Sequence, residues 1–272
     1  MRVIVGFAFV LIIMTCFDSC FEAPHFAAKP EIEFNNLIFR KGVKTNPLIT
    51  PADSLILTLN FKDGDGDLGL SGEGPDTDPP SPYVDKYYFR LDGTAVAFAA
   101  GTDLSLIIND ARYPKLLSYK IKRTIPAYDT LPDLVTPYTC TNWDIIRDTT
   151  QAHNILDTIY FQFNPYHYNI FVDFYIKRNG SDDYDLYDWK SVFIYPNCQV
   201  NGFNGRFPIL SKDLSQSSAQ EGKIRYSMRS VAFTTIFSIK TLRLHVWILD
   251  RKLHKSNVVI TDAFQLQSIL TP

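Results

Sequence analysis

Three aspartates at alternate positions form the most chemically loaded segment of this chain. Asp63, Asp65 and Asp67 belong to the run DGDGDLG, residues 63–69, in which glycines separate the acidic residues. Because glycine adopts tight backbone conformations, the three carboxylates can converge on one point. Carboxylates held this close repel one another unless a cation neutralises them, and calcium prefers such clusters of oxygen atoms. The run therefore predicts a calcium-binding loop.

This loop differs from an EF-hand. Counted from Asp63, the sixth position is Leu68 where an EF-hand has glycine, and the twelfth is Gly74 where it has glutamate. No helix is predicted on either side of the loop. The alternative interpretation is a solvated acidic turn whose aspartates accept hydrogen bonds from nearby backbone N–H groups.

Alternating apolar residues predict the elements that position this loop. Residues 54–61, 168–177 and 241–249 place apolar side chains at every second position, which is typical of half-buried antiparallel strands. Asn179-Gly180 predicts a hairpin turn. Weaker strands are predicted at 31–39, 86–91, 116–123, 157–163, 189–194 and 223–228. The only helix candidate is 144–156, so the pattern predicts an all-β, immunoglobulin-like antiparallel β-sandwich.

The predicted chain organisation has three parts. Residues 1–20 are predicted to be a signal peptide, residues 21–30 a short tether with two prolines, and residues 31–272 one β-sandwich domain. Residues 101–156 are poorly patterned and predict a long insertion between sandwich strands.

A fourth carboxylate is predicted near the acidic loop. In an immunoglobulin-like sandwich, the loop after the second strand lies at the same end as the last hairpin loop. That last loop, residues 249–257, contains Asp250 and Arg251. Asp250 could join the three aspartates as a metal ligand, or Arg251 could pair with them.

The N-terminus has the pattern of an export signal. Arg2 precedes an unbroken apolar run, Val3 to Met14, which is too short for a comfortable membrane span. Ser19 and Cys20 follow, as in bacterial lipoprotein signals in which the cysteine is lipidated. We therefore expect lipidation of Cys20 and attachment to a membrane. Cys16 is the competing lipidation site, and a plain secretory signal is the alternative.

Two further cysteines, Cys140 and Cys198, remain after the signal region. In an oxidising compartment they could form a disulfide, which the chain-entropy model values at about 4 kcal/mol for a loop of this length. Two free thiols are the alternative.

Composition and motif searches argue against two classes of function. A net charge of −2 and the lack of a basic patch predict no nucleic-acid binding. No G-x-S-x-G, H-E-x-x-H, C-x-x-C or P-loop motif occurs, and the five histidines lack metal-ligand spacing. The prediction is a protein that is not an enzyme, with a calcium-dependent hydrolase as the minor alternative.

Residues 182–189 mix carboxylates with aromatic side chains. Sugar-binding surfaces use this combination, because rings stack on sugars while carboxylates accept hydroxyl hydrogen bonds. Tyr184, Tyr187 and Trp189 are therefore a possible ligand patch. The alternative is a strand whose aromatic side chains pack inward.

Both ends of the predicted domain resemble one family. The tether ending in residues 30–34, the Asp53-Ser54-Leu55 lead into DGDGDLG, and the C-terminal residues 242–261 resemble cell-envelope lipoproteins of the Bacteroidota. The resemblance implies an immunoglobulin-like module at the outer membrane, on its surface or its periplasmic side. We expect a non-enzymatic binding module or an accessory subunit of an outer-membrane assembly. The alternative is a carbohydrate-binding lipoprotein of a glycan-uptake system.

Overall fold

The structure is a computed structural model that describes residues 25–44, 48, 50–70, 83–98, 102–108, 115–134, 142–148, 151, 154–188, 202–210 and 218–271. Its strands are β1 Glu31–Arg40, β2 Asp53–Asp63, β3 Lys86–Phe89, β4 Ala95–Val96, β5 Trp143–Arg147, β6 Ile155–Phe163, β7 Ile170–Lys177, β8 Tyr184–Leu186, β9 Gln220–Ser230, β10 Leu242–Ile248 and β11 Val259–Ile260. Its short helices are α1 Leu104–Ile107, α2 Tyr119–Lys122 and α3 Phe233–Phe237, with 3-10 turns at Pro126–Tyr128 and Leu266–Ile269.

Two antiparallel sheets form the sandwich. One has the order β1-β2-β9 and the other has the order β11-β10-β7-β8. The chain crosses between these sheets after β8 and again after β9, whereas β7–β8 and β10–β11 are neighbours within one sheet. This is the order of strands A, B and E against G, F, C and C′ in immunoglobulin sandwiches. The predicted all-β sandwich is confirmed.

The sandwich core follows directly from the alternation in the sequence. Every second residue of β2, β7 and β10 faces the opposite sheet, and α3 adds Phe233 and Phe237 at one side of the core. The rings of Phe174 and Phe237 stack at 5.6 Å. The fully buried aliphatic residues include Leu55, Leu57, Leu59, Ile170, Leu242, Leu244, Val246 and Ile248. Each such side chain stabilises the fold by about 1.5–3 kcal/mol relative to exposure.

A third sheet lies in the chain between β2 and β7, with the order β4-β3-β6-β5. Separate apolar clusters cover its two faces: Phe161 belongs to one of them and Tyr160 to the other. The inserted segment is therefore wider than the predicted 101–156 and includes the predicted strands at 86–91 and 157–163. Alternation cannot assign a strand to a sheet, because the period is the same in both.

Two local predictions were wrong. Residues 116–123 contain the one-turn helix α2 instead of a strand, and residues 144–156 begin with β5 instead of a helix. Leu117, Tyr119 and Ile121 pack into the same cluster around Trp143. Their spacing includes an i, i+4 pair, which lies on one face of a helix as well as on one face of a strand.

Asn257 closes the outer edge of β1. Its side-chain oxygen accepts a hydrogen bond from the N–H of Ile32, and its side-chain nitrogen donates to the carbonyl of Ile32, both at 2.8 Å. Farther along β1, the N–H of Thr271 donates to the carbonyl of Phe39. The Ser-Asn motif before β11 thus ties the last hairpin to the first strand.

We predict that Asn257→Ala lowers the free energy of unfolding by about 1–2 kcal/mol, because both backbone groups of Ile32 lose their partner. Chemical denaturation measures this loss. The matched control is Asn35→Ala, also on β1. It removes one exposed side-chain hydrogen bond, from Asn35 to Asn60 of β2. Equal effects of the two variants would contradict the assigned role of Asn257.

Candidate metal centre

The acidic loop begins at the last residue of β2. Asp63 is fully buried, and its Oδ2 accepts a hydrogen bond of 2.9 Å from the N–H of Asp67. Gly66 between them has a φ of 68°, and a Cβ there would lie 2.4 Å from the carbonyl oxygen of Ser218. Only glycine fits this position. The glycines therefore fold the loop so tightly that its carboxylates face one another.

Three separate segments hold the backbone of this loop. The N–H of Gly64 donates to the carbonyl of Ala27, and the N–H of Leu70 donates to the carbonyl of Phe207. From the hairpin between β10 and β11, the N–H of Arg251 donates to the carbonyl of Asp67 at 3.2 Å. Hydrogen bonds from three distant parts of the chain thus hold the backbone of this loop.

The three aspartates form one buried cluster. Each offers a carboxylate oxygen, and these oxygens lie within 4.8 Å of one another. Oδ1 of Asp63 and both carboxylate oxygens of Asp67 are buried and accept no hydrogen bond from the part of the chain that is described. A buried anionic oxygen without a donor costs several kcal/mol unless a cation compensates it, so this cluster could hold a metal ion.

Burial and mutual repulsion change the acidity of two of the aspartates. Burial, followed by the charges of Asp65 and Asp67, raises the pKa of Asp63 to about 6. Burial, followed by the charges of Asp250 and Asp65, raises the pKa of Asp67 to about 6. Both groups thus hold their negative charge at neutral pH against an unfavourable environment.

Lys252 supplies part of the compensating charge. Its ammonium group donates a hydrogen bond to Oδ2 of Asp65 and lies 3.7 Å from Oδ2 of Asp67. Burial acts to raise the pKa of Asp65, but the hydrogen bond and charge of Lys252 outweigh it and lower that pKa. Lys252 is more than half exposed, so it stands at the solvent side of the cluster.

Asp250 lies beside the cluster, as predicted from the positions of the two loops. Its carboxylate oxygens, however, accept hydrogen bonds within its own hairpin. Oδ1 accepts hydrogen bonds from the N–H groups of Lys252 and His254, at 2.9 and 2.7 Å. Oδ2 lies 2.8 Å from Nδ1 of His254. Asp250 is 1% exposed and contributes its negative charge to the environment of Asp63 and Asp67. In this conformation it orders the loop that delivers Lys252.

Arg251 does not form an ion pair with the cluster among the described residues. Its backbone holds Asp67, and its positive charge acts to lower the pKa of Asp67. The Nη1 atom of its guanidinium group is buried without a hydrogen-bond partner in the described chain. The predicted pairing of Arg251 with the acidic loop is thus replaced by a main-chain contact.

Sequence reasoning missed two residues of this centre, Lys252 and Tyr83. The hydroxyl of Tyr83 donates to the carbonyl of Arg251, and the carbonyl of Tyr83 lies 3.1 Å from Nδ1 of His167. Tyr83 precedes β3, so this contact connects the segment before the third sheet to the hairpin between β10 and β11. Lys252 could have been suspected from its place beside Asp250, whereas Tyr83 carries no local signal.

The remaining predicted site residues are not gathered at one place. Tyr187 packs against Phe237 of the sandwich core, whereas the ring of Tyr184 lies under the guanidinium group of Arg243 on the other side of β8. The two tyrosines therefore do not share a flat exposed face. Trp189, Cys16, Cys20, Cys140 and Cys198 lie outside the described residues.

Comparisons with known proteins found no matching family model, no matching curated protein and no matching solved structure. Within the described ranges, no helix has the length and apolar character needed to cross a membrane.

We predict that the metal-free protein gains stability as the pH falls from about 7 to about 5. The folded-state pKa values of Asp63 and Asp67, about 6, lie above the ordinary value of 3.8. Protonation therefore favours the folded state: the gain is complete below the unfolded pKa and is lost as the pH rises through the folded pKa. Thermal unfolding in a chelating buffer measures the effect.

The reference for this experiment is the double variant Asp63→Asn, Asp67→Asn, which cannot titrate at these positions. Its melting temperature should change less over the same pH interval than that of the wild type. The contrary result is a melting temperature of the wild type that falls on acidification, with the same dependence on pH in the double variant. That result would contradict the assignment of the pH effect to Asp63 and Asp67.

Proposed function

We propose that this chain is a calcium-stabilised, lipid-anchored β-sandwich module of the cell envelope that binds a partner protein and performs no catalysis. The observation that carries the metal part is the set of buried oxygens of Asp63 and Asp67 that accept no hydrogen bond within the described chain. The three carboxylates converge on one point, an arrangement suited to a cation. Glycosidase carboxylates instead flank a substrate bond.

The donor set favours calcium over other metals. The cluster consists of carboxylates alone, and zinc prefers nitrogen and sulfur ligands. Calcium accepts six to eight oxygens in flexible geometry and takes carboxylates in a bidentate manner, which both oxygens of Asp67 permit. Magnesium requires a smaller, octahedral arrangement that retains several waters. Water molecules at the side of Lys252 would complete a calcium shell.

A calcium ion here would stiffen one end of the sandwich. The loop after β2 already contacts the hairpin between β10 and β11 through Arg251 and Lys252, and contacts the N-terminal segment through Ala27. Neutralising the carboxylates removes the repulsion that works against these contacts. The metal would thus act on structure, by holding three segments in one arrangement.

We predict that calcium raises the melting temperature of the wild type, with a stabilisation of about 2.7 kcal/mol at a concentration 100 times its dissociation constant. Asp67→Asn should lose this response. In the absence of calcium the same variant should be more stable than the wild type near neutral pH, because one buried negative charge has been removed. Differential scanning calorimetry with and without calcium measures both effects.

The matched control is Asp262→Asn, because Asp262 is an exposed aspartate outside the cluster. It should respond to calcium as the wild type does, and magnesium should stabilise the wild type less than calcium. A wild type that is indifferent to calcium excludes the metal part of the proposal. An Asp67→Asn variant with an undiminished response excludes this cluster as the site.

The lipid anchor is supported by the residues of the N-terminus. A single positive residue, an apolar run and the Ser19-Cys20 pair resemble a bacterial lipoprotein signal with Cys20 as the modified residue. Ala27 contacts Gly64 in the acidic loop. The chain from Cys20 to Ala27 can span at most about 25 Å. The metal end of the sandwich would therefore lie near the membrane, and the opposite end would point away from it.

We predict that the full chain incorporates an alkyne-labelled fatty acid when it is produced in a bacterium with lipoprotein export, and that Cys20→Ser abolishes the label. Cys16→Ser should retain it. The readout is in-gel fluorescence after coupling of a dye to the alkyne. Loss of the label in Cys16→Ser alone would move the anchor to that residue, and an unlabelled wild type would exclude the lipid anchor.

A further inference from the structure

Within the described part of the chain, the outer edge of β9 pairs with no other strand. This strand has eleven residues, pairs with β2 on one side and ends the order β1-β2-β9. Among the residues that the structure describes, none forms a backbone hydrogen bond with residues 221–229 from the other side. The opposite edge, on β1, is closed by Asn257 and Thr271. Such an open edge can pair with an added strand.

The solvent face of β9 carries a row of positive charge. Lys223, Arg225 and Arg229 are exposed at alternate positions and form no ion pair within the described ranges. Their cross-strand neighbours on β2 are Asn60, Thr58 and Ser54, which are uncharged. The adjacent strand β2 therefore does not neutralise the row. The sheet carries acidic side chains at Glu221 on β9 itself and at Glu31 and Glu33 two strands away on β1.

Pairing with a second copy of this chain would bring cationic side chains together at this edge. Two antiparallel β9 strands must place facing side chains on the same side of the joined sheet. We consider the alignments in which more than half of the two β9 strands overlap. In each of them, a cationic residue of one copy (223, 225 or 229) lies directly opposite a cationic residue of the other copy. Like charges directly opposite one another destabilise strand pairing. Each of these registers contains such a cationic pair, although Glu221 faces Arg229 in the full-overlap register and Arg225 in the register that opposes the two Lys223 residues. An added acidic strand avoids every such pair.

We infer that the β9 edge binds an extended, acidic segment of a partner protein, which adds as a strand next to β9. Main-chain hydrogen bonds to the open edge would supply affinity, and carboxylates opposite Lys223, Arg225 and Arg229 would supply specificity. This inference deepens the proposed function, because it identifies the surface and the kind of partner through which the module acts.

The test uses the folded protein in calcium-containing buffer with two dye-labelled peptides of equal length. Both alternate threonine or valine with a charged residue, which is glutamate in one peptide and lysine in the other. Fluorescence anisotropy should show binding of the glutamate peptide and at least about tenfold weaker binding of the lysine peptide. Hydrogen exchange should then show new protection within residues 220–230.

The variant Arg225→Glu should weaken binding of the glutamate peptide by about tenfold, because one attractive cross-strand pair becomes repulsive. Arg225 is exposed and faces Thr58, so the fold tolerates the change. The matched control is Arg40→Glu, an equal charge change on the same sheet, at the closed edge. It should leave affinity unchanged.

Three results would overturn the inference: no binding of either peptide, equal affinity for both peptides, or equal losses in the two variants. Concentration-dependent dimers in sedimentation that Arg225→Glu abolishes would also overturn it, in favour of a second copy. The calcium proposal is tested separately, by the effect of calcium on the melting temperature in the absence of peptide. A failure of the peptide test is therefore distinguishable from a failure of the calcium proposal.

Discussion

The burial of three like charges at one end of the sandwich is the constraint around which that end is built. Asp63, Asp65 and Asp67 are brought together by a loop that only glycine can fold, and its backbone is held from three directions. Lys252 offsets the charge of Asp65. The carboxylate of Asp250 accepts hydrogen bonds within the hairpin that carries Lys252. Such an arrangement is costly without a cation and rigid with one.

The same end organises the rest of the molecule. The N-terminal segment contacts the loop at Ala27, and Tyr83, which precedes β3, donates a hydrogen bond to the carbonyl of Arg251 in the neighbouring hairpin. The third sheet is inserted in the chain between β2 and β7 of the sandwich.

The two edges of the β1-β2-β9 sheet are treated differently. On β1, Asn257 and Thr271 form hydrogen bonds with backbone groups of Ile32 and Phe39 that could otherwise pair with another strand. On β9, no described residue bonds the outer edge, and the exposed face carries Lys223, Arg225 and Arg229. Charged residues on edge strands protect proteins from aggregation, and the inferred acidic partner would pair with the same charges.

The sequence by itself determined the sandwich strands and the convergence of the three aspartates. Period-two alternation at 54–61, 168–177 and 241–249 follows from burial on one face, and glycine spacing follows from backbone sterics; both are local. Only tertiary structure decided that 86–91 and 157–163 form a third sheet, that Lys252 meets Asp65, and that Asp250 turns to His254. These outcomes depend on which strands pair and which loops come into contact. Both are determined by interactions between residues far apart in the chain.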